Sequence, residues 1–158
     1  MATGAERFAA ATVDLGLSPV RMPDSTHTAA EAAAAVGCEV GAIVKSLVFV
    51  ALDDDERTPL LALVAGDRRA DLDLLAEAVG LPVEKADAKT VKAATGYSIG
   101  GVPPIGHPEP VRTLVDESLL RYDRVWSAAG DARSVFPADP ENLVAWSGGS
   151  IARIATPG

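Results

Sequence analysis

The chain has 158 residues, 48% of them hydrophobic, which suits one domain with one sizeable core and excludes disorder. Its formal net charge of −8 argues against a protein that coats nucleic acid through its phosphates, and three Phe, two Tyr and two Trp are too few for an extended base-stacking platform. Neither count excludes recognition of one nucleotide or a short end in a local pocket; a DNA-coating surface is not expected.

The first expected element is a helix over residues 5–15, with Phe8, Ala11, Thr12 and Leu15 at helical spacing and Gly16 as its stop. Met1–Ala11 contains Glu6 and no long apolar core, so no signal peptide is expected. A turn-rich connection over residues 18–25 follows, with Pro19 and Pro23. Residues 1–22 are accordingly read as a helix and turn appended to a single domain spanning 1–158. His27 is read as an exposed turn residue. Thr28 and Glu31 match a capping box that opens an alanine-rich helix ending at Gly37. Cys38, the single cysteine, cannot form an internal disulfide and fits a reducing, cytoplasmic setting.

The next segment holds the most informative residue. Ala42 to Leu52 is apolar on both faces and reads as a central strand. Two-residue alternation puts Lys45 on the face of Ile43, Leu47 and Phe49. An ammonium there costs several kcal/mol to desolvate unless it is paired, hydrated or turned toward a pocket. The plain alternative is a lysine near a sheet end whose head reaches water. Lys45 also interrupts the longest apolar run, and no uncharged run approaches the roughly 20 residues needed to span a membrane.

Asp53 to Arg57 is a charged turn between that strand and a second, Pro59 to Gly66, which predicts an antiparallel hairpin. Asp71 can cap a helix with Leu72, Leu75, Ala76 and Val79 as its buried stripe and Gly80 as its end. Asp87 can cap another, Ala88 to Thr95, stopped by Gly96. Arg68, Arg69, Lys85, Lys89 and Lys92 are the cations available for a patch; their simplest reading is a solvated helix face. Strands are expected over 111–115, 124–128 and 150–154, with a helix opening at Asp139-Pro140. Helices and hairpins without regular βαβ alternation favour an α+β fold with a mixed or antiparallel sheet.

The second unusual feature is the stretch from Thr95 to His107, with four glycines and two prolines after Thr95. Glycines let backbone approach a ligand closely, prolines stiffen the path, and such a loop can aim amide N–H groups at an anion or a developing oxyanion. A tight structural turn explains the same residues. The spacing matches neither a dinucleotide fingerprint nor a phosphate-binding P-loop. His27 and His107 have no neighbours at metal-ligand spacing, no serine stands in a nucleophile elbow, and Asp53–Asp55 reads as a hairpin tip. No metal or cofactor is expected. An enzyme with this sequence would work by positioning and electrostatics.

Taken in order, Thr28 to Ala33, Gly37, Ile43 to Phe49, Gly66 to Leu72, Thr95 to Gly106, Val115 to Leu119 and Ala129-Gly130 resemble the YbaK/prolyl-tRNA-synthetase-associated editing domain. The resemblance covers nearly all of residues 26–154. It implies a mixed, strongly curved sheet surrounded by helices. It also implies a trans-acting deacylase that hydrolyses the ester joining a wrong amino acid to the 3′-terminal adenosine of tRNA, of the Cys- or Ala-tRNA(Pro) type. Lys45 matches the family's required lysine, and Gly100 and Pro104 match its G-x-x-x-P loop. The implied catalytic pair is Lys45 and Gly101, with Ser46, Gly100, Val102, Pro103, Pro104, Ile105 and His107 around the substrate. Val102-Pro103-Pro104 adds a proline inside that loop. Some relatives have an acidic residue after the glycine turn, where this chain has Asp131 slightly earlier. A synthetase partner is compatible with the reading. The alternatives are a binding module that holds the ligand without hydrolysis and an accessory domain of a synthetase complex.

Overall fold

Helix caps and one long hairpin set the frame. In the computed structural model, which describes residues 2–22 and 28–158, the elements run in chain order as follows. The first part comprises α1 (Gly4–Ala11), β1 (Val20–Arg21), α2 (Ala29–Val36), β2 (Val44–Asp53), β3 (Glu56–Ala65) and β4 (Arg68–Ala70). There follow α3 (Leu72–Val79), β5 (Val83–Lys85), α4 (Ala88–Thr95) and β6 (Arg112–Asp116). The last part comprises β7 (Val125–Ala128), β8 (Ser134–Ala138), α5 (Pro140–Ser147), β9 (Ser150–Ala152) and β10 (Ala155–Pro157). His27 and the end of the turn-rich connection, from Pro23, lie outside the described residues. No helix among the described residues is long and apolar enough to cross a membrane.

Each predicted cap residue accepts from its helix, but the capping box at Thr28 is half formed: Glu31 accepts from the Thr28 hydroxyl at 3.0 Å in place of the N-cap amide. The side chains of Thr28, Asp71, Asp87 and Asp139 all accept from amides in the first turns of α2, α3, α4 and α5. The first helix is shorter than expected: Thr12 turns its hydroxyl back onto the Phe8 carbonyl at 2.8 Å, and the chain continues as a 3-10 turn to Gly16. Phe8 is fully buried and packs its ring 5.1 Å from that of Phe136, so α1 is part of the core. In α3 only Leu75 of the expected stripe is fully buried; Leu72, in the first turn, is 38% exposed.

The expected hairpin forms. β2 and β3 pair antiparallel from Val44↔Ala65 to Asp53↔Glu56 around the two-residue turn Asp54-Asp55. Asp54 takes φ +53°, a left-handed value that aspartate tolerates better than most residues. β3 then pairs parallel with β6, and β6 parallel with β9, giving the open mixed sheet β5-β2-β3-β6-β9. A three-stranded sheet, β1-β8-β7, stands beside it, bridged once at Ile43↔Trp126.

Both faces of the large sheet are covered, which is why β3 reads as an unbroken apolar run. Leu61, Leu63 and Ala65 join Phe8, Val115, Leu119 and Phe136 on one face. Leu60, Ala62 and Val64 join Phe49, Leu75, Leu114 and Ile154 on the other.

The closing strand expected over 150–154 is two short ones. β9 ends the large sheet, and β10 turns away to pair antiparallel with β4, Ala155↔Ala70 to Pro157↔Arg68. Buried Asp116 causes the turn: its carboxylate accepts from the Ile154 amide at 2.9 Å and from Ser118. The Ile154 carbonyl in turn accepts from the Asp71 amide. A carboxylate at the end of β6 thereby fixes the strand that carries Arg68 and Arg69.

Candidate active site

β2 has an incomplete edge. Its pairing with β5 covers only Phe49–Ala51, and its bridge to Trp126 lies back at Ile43. Between these points no strand among the described residues covers the edge opposite β3. A cavity of about 1000 Å³ opens there. Lys45, Ser46, Gly100 and Val102 are all in its wall, so the lysine strand and the glycine loop meet at one space. Arg68, Arg69, Asp67, Lys85, Trp126 and Asp131 also line it.

Lys45 is half-buried, and its Nζ donates to the Arg68 backbone carbonyl. Burial first, and the Arg69 charge second, push its ammonium below the ordinary lysine value, against the opposing pull of Asp67. The cation therefore lies neither deep in the core nor free in solvent. Next along the strand, the Ser46 hydroxyl is buried with no hydrogen-bond partner, on the wall of the cavity.

The loop divides into wall and support. Gly101 donates its amide to the Ser98 carbonyl at 3.0 Å, so this N–H is committed to a turn. The flanking amides of Gly100 and Val102 have no backbone partner among the described residues. Gly101 instead gives room: a Cβ there would lie 2.7 Å from the Asp131 Cα. Pro103, Pro104 and Ile105 are buried and outside the cavity wall, Ile105 inside the main core cluster.

His107 is not in the wall either. Its Nε2 lies 2.8 Å from the Pro103 carbonyl, which assigns the ring proton to Nε2, and its ring meets Tyr97 edge-on at 6.2 Å. The Tyr97 hydroxyl donates to the Gly106 carbonyl at 2.8 Å. These two rings close the neck of the loop. Burial depresses the His107 imidazolium, partly offset by the Pro103 carbonyl. Above about pH 6.5 the ring is neutral in both folded and unfolded chains. As the pH falls below that value, the unfolded chain takes up a proton that the folded chain resists, so stability falls. Thermal unfolding followed from pH 7 to 5 should show this loss, and His107→Gln should make the curve flatter; an identical slope in the variant would remove the ring from the effect.

Two wall features were not read from the sequence as site residues. Arg68 and Arg69 stand on β4 and Lys85 on β5, so the expected solvated helix face holds only for Lys89 and Lys92 on α4. Asp131 reaches the wall from the β7–β8 turn. Burial alone would raise its carboxyl, but the Arg133 amide at 2.9 Å, Ser134 and Arg21 outweigh burial and hold it below the usual range.

A family model described as an aminoacyl-tRNA editing domain matches residues 23–145. The chain is 33% identical over 132 residues to EbsC of Enterococcus faecalis, named as a candidate Cys-tRNA(Pro)/Cys-tRNA(Cys) deacylase; the match covers 82% of this chain and 79% of EbsC. A stretch of 77 residues, 48% of this chain, is 32% identical to 13% of the proline–tRNA ligase of Brachyspira hyodysenteriae. The crystal structure of a candidate trans-editing enzyme for prolyl tRNA synthetase superposes with a TM-score of 0.89 at 43% identity, over 99% of each chain.

Proposed function

We propose that this chain, which belongs to the aminoacyl-tRNA editing domain family, is a trans-acting deacylase that hydrolyses a mischarged aminoacyl-tRNA. One observation carries the reading: a desolvated lysine and a glycine–proline loop, far apart in sequence, line the same cavity of about 1000 Å³. An aminoacyl ester is already activated, so holding it beside a water supplies much of the acceleration. Water attacks the ester carbonyl, the carbon–ribose-oxygen bond breaks, and the departing hydroxyl of the terminal adenosine receives the water's proton. Charge develops on the carbonyl oxygen in between. Lys45 offsets that charge or anchors the ribose end, and the amides of Gly100 and Val102 are the loop's available donors. Gly101 acts by letting the loop pack closely on Asp131.

The name of EbsC supports tRNA(Pro) carrying cysteine as the substrate, and that of the candidate trans-editing enzyme supports a link to prolyl-tRNA synthetase; alanine on tRNA(Pro) is the second candidate, from the family resemblance alone. The similarity to a proline–tRNA ligase supports work alongside a synthetase, in the cytoplasm. A panel of mischarged tRNAs tests this directly: the purified protein should release Cys or Ala from tRNA(Pro) and leave correctly charged Pro-tRNA(Pro) intact. Binding without release across the panel would turn the reading into that of a non-catalytic module. Release seen only after adding a synthetase would make the chain an accessory domain.

A further inference from the structure

The cavity wall has a charge opposite in sign to the molecule. Overall, 22 acidic side chains face 14 Lys and Arg. Among charged side chains in the wall, Lys45, Arg68, Arg69 and Lys85 face Asp67 and Asp131. Both carboxylates are already occupied by arginines from outside the wall. Arg121 grips Asp67 through two bonds, at 2.9 and 3.2 Å, and Arg21 reaches Asp131 at 3.3 Å.

Arg68 is therefore poorly served. Its Nε is buried without a hydrogen-bond partner, and its nearest carboxylate oxygen is that of Asp67 at 3.7 Å. A buried guanidinium donor without an acceptor costs free energy, and a planar fork of this kind matches a phosphate well. Arg68 and Arg69 are consecutive on β4, so their side chains leave opposite faces of that strand, yet both line the cavity; β10 and the buried Asp116 hold the strand in place.

We propose that Arg68 and Arg69 form a phosphate-binding rim that grips the phosphodiester backbone of a single-stranded RNA 3′ end, while Lys45 works deeper in the cavity. This rests on reading the cavity as an aminoacyl-tRNA site. It gives an acidic protein a local means of taking a polyanion: a short cationic edge within a repulsive surface admits the flexible end of the RNA and repels its duplex. The Lys45 contact uses the Arg68 backbone carbonyl, so replacing the Arg68 side chain leaves that hydrogen bond in place.

The test compares the wild-type chain with the double variant Arg68→Gln/Arg69→Gln, both checked for fold by circular dichroism. The first arm is binding of a labelled, unacylated cytidine-cytidine-adenosine trinucleotide. Wild type should bind it with a log–log salt slope of about −1.4, roughly −0.7 for each of its phosphates. The variant should lose at least tenfold in affinity and most of that slope. Unchanged affinity in the variant, no binding by wild type at low salt, or equally tight binding of inorganic phosphate by wild type would each overturn the rim. The second arm is hydrolysis of a mischarged tRNA against an aminoacyl-adenosine that carries no phosphate. The variant should raise KM for the tRNA about tenfold and leave KM for aminoacyl-adenosine unchanged, and any change in kcat passed to Lys45 by loss of the Arg69 charge should be the same on both substrates. Equal rises in KM on the two substrates would overturn the rim while leaving the deacylase standing. Trinucleotide binding that depends on the arginines, without hydrolysis of any substrate, would support the rim and sink the deacylase.

Discussion

Replacing Lys45 with alanine is expected to cut kcat/KM for release of the wrong amino acid by about 100- to 1000-fold, the usual cost of losing one preorganised charge or donor at a developing oxyanion. The fold should survive. Lys45 pairs with Val64 through backbone, and truncation removes a desolvated ammonium as well as some stem contacts, effects of opposite sign. Single-turnover release at matched circular dichroism makes the measurement. Lys45→Met, which keeps the stem, should be equally inactive; recovery in that variant would assign the effect to packing. The pH profile gives a second handle. The folded lysine loses its proton below the ordinary value of about 10.4, so the wild-type rate, corrected for spontaneous ester hydrolysis, should begin to fall before an ordinary lysine would titrate. Turnover unaffected by either substitution would remove Lys45 from the reaction.

Gly101→Ala should be the most damaging single methyl in the loop. Its Cβ would meet the Asp131 backbone at 2.7 Å, too close to tolerate, and backbone yields less readily than a side-chain tip. The β7–β8 turn is itself closely packed: a Cβ on its Gly130 would lie 2.3 Å from the Gly4 carbonyl oxygen at the start of α1. Main chain of the loop or of the turn must therefore move. Overpacking of this kind costs about 1–3 kcal/mol, and a shift of roughly 1 Å in a catalytic wall can cost on the order of 100-fold in rate. Denaturant melts and single-turnover kinetics should both register the change. Removing the Asp131 side chain should not rescue it, since the clash is with main chain. A variant with wild-type melting and wild-type turnover would show that the close approach is not needed.

The sequence showed what is decided locally. Caps at Thr28, Asp71, Asp87 and Asp139 need only their own first turn, and the β2–β3 hairpin needs only two apolar runs and an acidic tip. The parallel neighbours β6 and β9 are consistent with the mixed sheet expected, though no local pattern fixes their order. β4, β5 and β10 have three residues each, too few for periodicity, and are strands because of distant partners. That is why Arg68 and Arg69 read as a helix face: the residues that make β4 a strand lie near the other end of the chain. Lys45 stood out because an ammonium in an apolar run conflicts with its neighbours whatever the fold. Within the loop, composition marked the segment but could not say which side chains face the cavity. Val102 lines the cavity and belongs to the core, whereas Ile105 is core alone and His107 is turned onto Pro103.

The tight Asp54-Asp55 turn has an effect well beyond its own corner. It locks the alignment of the two long strands, and neighbouring residues point to opposite sides of a sheet. Insertion of a single amino acid at this solvent-facing tip, nine positions from the lysine, would offer the slipped pairing in which ammonium and serine hydroxyl trade places. Length changes at exposed corners are ordinarily forgiven during evolution and protein engineering. Here the corner acts as a ruler for a reactive group it never touches, and homologues of different hairpin length should be aligned by their lysine, not by the tip.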